Sequence, residues 1–372
     1  MTHVGKRALS LPRMATRTTE RAPRKSSIDT SLPFPAHHLL GVQDVPASHL
    51  RRVLDRARQL ESMPAEKAAK ILAGRAVANL LFEDSTRTRT SFTVAAQRLG
   101  ARIIDLNTAA SSVTKGETLV DTALNIRAMG VDAMVVRARQ SGAPHQIAEA
   151  LDADRQLPGA PRCSVLNAGD GKHEHPTQAL LDIYTLCRAR EEAGDPRRAE
   201  FDLSGLTLAI VGDCVSSRVA RSNIAAFTAL GGRVMLVGPP ALAPESMTAL
   251  APKGACRVSR SIREALPEAD GVMVLRMQFE RHDAGGAHAA PGAVKASGVI
   301  ASVREYREDF ALTRDRAAML RPGAFVMHPG PMNRGLEIDA DVADGPRSLV
   351  LRQVAAGVVV RMAALDLCVH AV

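Results

Sequence analysis

The stretch VANLLFEDSTRTRTSF, residues 77–92, joins an apolar run to a polar cluster and then to a helical pattern. Its first six residues have the length and composition of a buried strand. Beyond the polar cluster, apolar residues recur at the spacing of one helix face, at Phe92, Ala95, Ala96 and Leu99. A buried strand that leads directly into an amphipathic helix is typical of a parallel sheet, so this stretch indicates an α/β fold.

The same alternation of apolar runs and helical patterns continues along the chain. The first series predicts strands at 77–82, 102–106, 133–137 and 164–167, with a helix over 119–129 between the second and third strands. A charged segment over 187–205, ending in turn residues, reads as a domain junction. A second series then predicts strands at 206–211, 233–237, 271–275 and 325–328, followed by a long apolar helix from about residue 347 to 367.

The repeated pattern predicts an α/β protein with two doubly wound parallel-sheet domains, joined by helices, and a ligand cleft between them. We expect a disordered basic extension over residues 1–32 and a first domain over 33–186, completed by a C-terminal helix over 347–372. The second domain is expected over 187–346. A chain of 372 residues, of which 46% are hydrophobic, is long enough for two cores.

Composition argues against several classes of protein. The sequence contains no uninterrupted apolar run of the roughly 18 residues that a membrane span requires. Its five cysteines are scattered and lack the paired spacing of a zinc site or a disulfide framework. This pattern predicts a reducing, cytoplasmic location and no structural metal.

The net charge of +9 is concentrated at the N-terminus, where residues 1–32 carry seven basic and two acidic side chains. The rest of the chain is only mildly basic, and aromatic residues make up 3% of the sequence. Because single-strand binders usually stack bases on aromatic rings, a nucleic-acid partner is not expected. The Arg- and Ser-rich extension has two readings that stay open, a disordered tail and an organellar transit peptide.

The polar cluster that follows the first strand has the chemistry of an anion site. In open parallel sheets, ligands bind beyond the carboxyl ends of the strands, at helix N-termini. Free backbone N–H groups and the helix dipole favour a phosphate there, and hydroxyl and guanidinium groups add donors. Ser or Thr would also serve as a helix cap, but capping does not account for two arginines in one turn. The cluster therefore predicts a phosphate site, at Ser85, Thr86, Arg87 and Thr88.

Residues 82–92 resemble the carbamoyl-phosphate motif of the transcarbamylase family, and later segments are similar to catalytic chains of aspartate carbamoyltransferase. The similarity extends from about residue 37 to 372. Six further segments carry it in order: SSVTKGETLVDT (111–122), DAMVVR (132–137), NAGDGKHEHPTQALLDIYT (167–185), GDCVSSR (212–218), RMQFER (276–281) and HPGPMNRGLEI (328–338).

The resemblance implies roles for residues that bind carbamoyl phosphate. Arg137 would contact phosphate and carbonyl oxygen, while His175 and Thr88 would donate to the carbonyl oxygen as it becomes an oxyanion. The carbamoyl amide would be read by the side chain of Gln178 and by the backbone carbonyls of Gly330 and Pro331. Taken alone, an arginine at a strand end is often only a surface charge, and a histidine before a helix is more often a polar cap than a catalyst. These roles therefore depend on the resemblance.

The resemblance also implies a site for aspartate. Arg218 and Arg276 would bind its two carboxylates, with Gln278 and Lys115 beside them. The family forms trimers, so Ser111 and Lys115 would reach into the cleft of a neighbouring subunit, and a larger assembly of trimers is possible. The implied activity is transfer of the carbamoyl group to L-aspartate, an early step of pyrimidine biosynthesis.

The implied chemistry requires neither a metal nor an organic cofactor. Positioning of the amine and stabilisation of the oxyanion supply the catalysis, and the departing phosphate can accept the proton. The alternatives are an ornithine carbamoyltransferase and a non-catalytic scaffold of the same fold. Against the first, the chain has no Trp, has HPGP at 328–331, and offers two arginines that suit two carboxylates. Asp84 and Thr93 depart from the family pattern, and Asp84 places a carboxylate beside the phosphate site.

Overall fold

The computed structural model describes residues 37–106, 117–154, 162–277 and 303–371. Within them lie nine strands in two separate sheets, and every strand pairing is parallel. The predicted α/β architecture with two parallel sheets is therefore confirmed. The expected N-terminal extension over residues 1–32 lies outside the described residues.

The first sheet contains four strands in the order β2-β1-β3-β4. Their bounds are Ala76–Leu81 for β1, Arg102–Leu106 for β2, Ala133–Ala138 for β3 and Ser164–Asp170 for β4. All residues of β1, β3 and β4 are buried, which explains why their sequences do not alternate between apolar and polar residues. Strand β2 lies at the edge and is largely exposed.

The second sheet contains five strands in the order β7-β6-β5-β8-β9. Their bounds are Thr207–Val211 for β5, Arg233–Val237 for β6, Cys256–Ser259 for β7, Gly271–Val274 for β8 and Phe325–Met327 for β9. The eight predicted strands are confirmed. Sequence periodicity did not reveal β7, because this edge strand has only four residues and its burial follows no regular pattern.

Helices connect the strands of each sheet. The bounds are α1 Ala47–Glu61, α2 Ala65–Ala68, α3 Thr86–Arg98, α4 Leu119–Ala128, α5 Ala143–Asp154, α6 Pro176–Glu192, α7 Arg218–Ala229, α8 Ile262–Ala265, α9 Val303–Phe310, α10 Arg314–Ala317, α11 Ala340–Ala343 and α12 Val350–Val369. None of the described helices is both long and apolar enough to cross a membrane.

Two long helices join the halves of the molecule. Helix α12 packs against α1, α3 and α6, so the C-terminus returns to the first sheet, while α6 also packs against α7 of the second sheet. Side chains from α6, α7 and α12 belong to one continuous apolar core. Helix α6 continues to Glu192 and buries Cys187 and Ala189, so the first residues of the segment 187–205 are helical. The proposed domain limits themselves remain predictions.

The strand order locates the position at which a ligand can enter. In the first sheet the chain passes from β1 to β2 on one side, while β3 lies on the other, so the order reverses between β1 and β3. The second sheet reverses in the same way between β5 and β8. Loops diverge at such switch points and leave a crevice at the carboxyl ends of the strands. Both crevices face one cleft, as the side chains below show.

Candidate active site

A cleft of about 440 Å³ lies at the carboxyl ends of strands from both sheets. It is lined by residues that follow β1 and β4, by the start of α7, by the segment after β8 and by the loop after β9. The residues predicted from sequence that line it are Ser85, Thr86, Arg87, Thr88, Arg137, His175, Gln178, Arg218, Arg276, Gly330 and Pro331. Of the other predicted site residues, Ser111, Lys115 and Gln278 lie outside the described residues.

The predicted phosphate loop forms the N-terminus of α3. Ser85 is the N-cap residue, and its Oγ accepts a hydrogen bond from the backbone N–H of Thr88 at 3.4 Å. The same Ser85 hydroxyl donates a hydrogen bond to Oγ1 of Thr88 at 2.9 Å. The capping role and the anion site are thus compatible, because the first-turn N–H groups and the helix dipole still face the cleft.

Arg87 and Arg276 bring positive charge into the cleft from opposite domains. Arg87 lies in the first turn of α3, and Arg276 lies two residues beyond the end of β8. Burial, together with the nearby Arg276 guanidinium, lowers the pKa of Arg87 from its ordinary value. Two guanidinium groups of different domains that repel one another across a cleft indicate a place for anionic groups.

Glu83 holds two further arginines of the cleft. Its Oε1 accepts from Nη2 of Arg137 at 2.6 Å and from Nη2 of Arg218 at 2.7 Å, and its Oε2 accepts from Nη1 of Arg218 at 3.0 Å. Arg137 ends the predicted third strand in the first domain, whereas Arg218 opens α7 in the second. This carboxylate therefore ties the two domains together across the cleft.

Backbone carbonyls also accept hydrogen bonds from these two arginines. Nη1 of Arg137 donates to the carbonyl of Ala168 at 3.2 Å, and Nη1 of Arg218 donates to the carbonyl of Gly171 at 3.2 Å. Gly169 has a φ of +113°, and a Cβ there would lie 2.9 Å from Nη1 of Arg137 and 3.0 Å from Nε of Arg218. The end of β4 therefore needs glycine at this position.

His175 is held as a neutral ring. Its backbone N–H donates to Oγ of Ser222 at 2.9 Å, which fixes the residue at the N-terminus of α6. Burial, reinforced by the charges of Arg361, Arg137 and Arg218, keeps the pKa of His175 well below its ordinary value. Among the described residues its Nδ1 has no hydrogen-bond partner. A neutral imidazole with an unsatisfied nitrogen in a cleft is suited to hydrogen bonding with a ligand.

The amide of Gln178 is oriented by a buried carboxylate. Its Nε2 donates to Oδ1 of Asp182 at 2.9 Å, so the carbonyl oxygen Oε1 is the end available to accept from a ligand N–H. Asp182 also accepts from Gln353 at 2.7 Å and from Asn223 at 2.8 Å. Burial raises the pKa of Asp182 to about 7, although these three hydrogen bonds and the charge of Arg361 oppose the shift.

The loop after β9 lies directly against the phosphate loop. Gly330 has a φ of +65°, and a Cβ at this position would lie 3.2 Å from Cζ of Arg87. The peptide bond between Gly330 and Pro331 is cis. Backbone carbonyl groups of this loop thus lie beside the expected phosphate position, where they are acceptors and cannot donate.

Several cleft residues were not identified from sequence. Glu83, Asp213, Ser216, Gln353 and Arg361 all line the cleft. Glu83 lies within the stretch 77–92, directly before a cationic cluster. An acidic residue at that position was a signal that it pairs with arginines. The C-terminal helix gave no such signal, because Gln353 and Arg361 lie in an otherwise apolar sequence and reach the cleft only through the packing of α12.

Two groups among the described residues have metal-ligand side chains close together. They are His37, His38 and Asp152, and His145, Asp170 and His173. In the first group, Nδ1 of His38 accepts from a backbone N–H, so its Nε2 carries the proton that faces Asp152. In the second, Asp170 already accepts hydrogen bonds from the backbone and from His173. Hydrogen bonding accounts for both groups, and neither lines the cleft.

Comparison with known proteins agrees with this geometry over nearly the whole chain. The family described as aspartate/ornithine carbamoyltransferase, carbamoyl-P binding domain, matches residues 37–188. The companion family, the Asp/Orn binding domain, matches residues 204–368. A protein from Gluconacetobacter diazotrophicus named aspartate carbamoyltransferase catalytic subunit is 48% identical over 338 residues, covering 90% of this chain and 94% of that protein. A protein of the same name from Salinispora arenicola is 47% identical, covering 89% and 97%.

Solved structures show the same architecture. The crystal structure of aspartate transcarbamoylase from Trypanosoma cruzi in complex with carbamoyl phosphate and aspartate has a TM-score of 0.72 and 28% sequence identity, covering 90% of this chain and 97% of that chain. Ornithine carbamoyltransferase from Pyrococcus furiosus also has a TM-score of 0.72, at 24% identity, with coverage of 90% and 98%. The second comparison establishes the shared fold alone.

Proposed function

Because this chain belongs to the aspartate/ornithine carbamoyltransferase family, we propose that it transfers the carbamoyl group of carbamoyl phosphate to the amine of L-aspartate. The products are N-carbamoyl-L-aspartate and phosphate, an early step of pyrimidine biosynthesis. The observation that carries this function is the placement of Arg218 and Arg276, from the second domain, opposite the Ser85–Thr88 loop of the first. One wall suits a phosphate, and the other suits two carboxylates.

The first substrate binds with each of its three groups against a different partner. The phosphate accepts from the N-terminus of α3, from the hydroxyl groups of the Ser85–Thr88 loop and from Arg87. The carbamoyl N–H groups donate to Oε1 of Gln178 and to the carbonyls of Gly330 and Pro331. These partners distinguish an amide, which donates, from a group that does not.

The carbonyl oxygen of carbamoyl phosphate lies among Thr88, Arg137 and His175. When the amine attacks the carbamoyl carbon, the carbonyl oxygen gains negative charge, and these donors bind it more strongly than in the ground state. His175 donates as a neutral imidazole and does not transfer a proton, which agrees with its depressed pKa. The carbon–oxygen bond to phosphate then breaks, and the departing phosphate takes the proton of the amine.

L-Aspartate binds on the second-domain side. Arg218 and Arg276 hold its two carboxylates, and Gln278 follows Arg276 by two residues in sequence. Fixing the amine next to the carbamoyl carbon converts an encounter of two molecules into an intramolecular reaction. Arg218 keeps its hydrogen bonds to Glu83 and binds the aspartate carboxylate through its remaining N–H groups.

The activity is tested by assaying carbamoyl transfer with L-aspartate and with L-ornithine side by side, in the presence of a chelator. We expect carbamoyl aspartate and phosphate to form with aspartate alone, at a rate that the chelator does not change. Turnover of ornithine in place of aspartate would assign the alternative transferase. No turnover of either amine by folded protein would support the non-catalytic scaffold.

The active unit is proposed to be a cytoplasmic homotrimer in which Ser111 and Lys115 complete the site of a neighbour. All five cysteines are free and buried, in keeping with a reducing compartment. The shared site is tested by mixing inactive Lys115→Ala and His175→Ala chains, dissociating them and allowing them to reassociate. Random assembly into a closed ring restores about a quarter of the sites, because each needs one intact contribution from two chains. Verified mixed trimers without activity would refute the shared site.

A further inference from the structure

We propose that a buried pair, His328 and Glu337, positions the backbone of Gly330 and thereby sets the preference of the site for a carbamoyl group over an acyl group. Both act as positioning residues, and this role rests on the proposed function, in which the carbonyls beside Gly330 read the carbamoyl amide. Both side chains are fully buried, and His328 belongs to the lining of the cleft.

His328 is fixed by two hydrogen bonds, one at its backbone and one at its ring. It follows β9 directly, and its backbone N–H donates to Oε1 of Gln353 at 3.0 Å. Its ring Nδ1 accepts from the backbone N–H of Gly330 at 2.8 Å. An Nδ1 that accepts carries no proton, so the proton of the neutral ring is on Nε2. Burial lowers the pKa of His328, although Glu337 opposes the shift, and this keeps the ring neutral.

Glu337 selects that tautomer. Its Oε1 lies 3.4 Å from Nε2 of His328 and also accepts from the backbone N–H of Asn333 at 2.5 Å. A carboxylate only accepts, so the imidazole nitrogen that faces it must carry the proton, which leaves Nδ1 free to accept from Gly330. The Glu337 carboxylate thus contacts the loop at two places, through a hydrogen bond from Asn333 and through the 3.4 Å approach to His328.

The His328–Glu337 pair affects substrate binding through the orientation of the Pro329–Gly330 peptide group. The hydrogen bond to Nδ1 of His328 fixes the direction of the Gly330 N–H, and Gly330 lies against the guanidinium of Arg87. This N–H shares its peptide plane with the carbonyl of Pro329, so the bond fixes the plane that leads into Gly330 and its own carbonyl at the cleft wall. A carbamoyl group has two N–H donors for such carbonyls, whereas an acetyl group offers a methyl group of similar size. Discrimination between the two therefore depends on how precisely the carbonyls are held.

Two variants of His328 separate its two nitrogens. His328→Asn places an amide oxygen near the position of Nδ1 and so can still accept from Gly330, whereas His328→Gln extends toward Glu337 and loses that acceptor. Affinities for carbamoyl phosphate and acetyl phosphate are measured by titration calorimetry without aspartate. Because both ligands carry the same phosphate, the ratio of the two dissociation constants cancels changes at Arg87. We expect the ratio to shrink by about tenfold in the Gln variant and to stay within about twofold of the parent in the Asn variant.

An unchanged ratio in both variants, or an equal loss in both, would overturn the proposal. If neither His328 variant folds, the same ratio of dissociation constants is measured in two variants of Glu337. Glu337→Gln keeps an acceptor at Oε1 and should preserve the ratio, while Glu337→Met, which has similar size and no such acceptor, should lose it. Equal ratios in that pair would also overturn the proposal. Turnover of aspartate is measured separately in the parent protein, so failure of the proposed function is seen independently of the binding ratio.

Discussion

Replacing Glu83 by Gln should weaken aspartate binding, because this carboxylate joins the two domains through the arginines of the cleft. Glu83 accepts three charge-assisted hydrogen bonds, one from Arg137 and two from Arg218. Gln has one acceptor oxygen in place of two, so it can keep the bonds to Oε1 but must turn an N–H₂ group toward Nη1 of Arg218. One charged hydrogen bond is lost and replaced by two donors that face each other.

The magnitude follows from the burial of the three side chains. Arg137 and Arg218 are each 10% exposed and Glu83 is 15% exposed, so solvent screens these contacts only weakly. A hydrogen bond to a charged group contributes about 1.5–3 kcal/mol, which corresponds to about a 10- to 150-fold change in an equilibrium constant. We therefore expect the apparent KM for aspartate to rise by at least about tenfold, with a lower thermal unfolding midpoint.

Asp84→Asn provides the matched control. Asp84 is the next residue and lines the same cleft, and its replacement by Asn removes the same charge. However, Asp84 is exposed and does not form the ion pairs with Arg137 and Arg218 that Glu83 forms. Steady-state kinetics at saturating carbamoyl phosphate would give both KM values. A Glu83→Gln protein with the KM of the parent, or with the same change as Asp84→Asn, would show that net charge in the cleft matters and that the bridge between domains does not.

Three further predictions test individual contacts. Arg87→Ala should weaken carbamoyl phosphate binding by about 1.5–3 kcal/mol, measured by calorimetry, whereas Arg276→Ala should mainly raise the KM for aspartate; an unchanged KM would refute the second assignment. Gly330→Ala should destabilise the protein by about 1–2 kcal/mol, because its φ of +65° disfavours a Cβ, and should also weaken carbamoyl phosphate binding by displacing Arg87; unchanged affinity would refute the close contact. Because the folded pKa of Asp182 is raised to about 7, its contribution to stability is complete below the unfolded pKa of about 4 and is lost as pH rises through about 7. The difference in free energy of unfolding between the parent and Asp182→Asn should therefore fall across that window, and denaturant titrations that show a constant or rising difference would contradict this.

The alternation of apolar runs and helical patterns in the sequence was enough to predict the fold and eight of the nine strands. Strand burial and helix periodicity are local properties, and each leaves its pattern in a few consecutive residues. For the same reason the Ser85–Thr88 loop was recognisable as an anion site, since a helix cap and its neighbouring donors lie within one turn. The resemblance of ordered motifs to a known family extended this reading to the substrates.

Tertiary structure alone decided how those residues act on one another. Glu83 and Arg218 are 135 positions apart, and Gln353 reaches Asp182 across 171 positions, so their contacts exist only after both sheets and α12 have packed. The neutral state of His175, the orientation of the Gln178 amide and the tautomer of His328 likewise depend on burial and on partners that are remote in sequence. The sequence shows which groups are present, but the protonation state and orientation of each group depend on its burial and on the neighbouring charges in the folded structure.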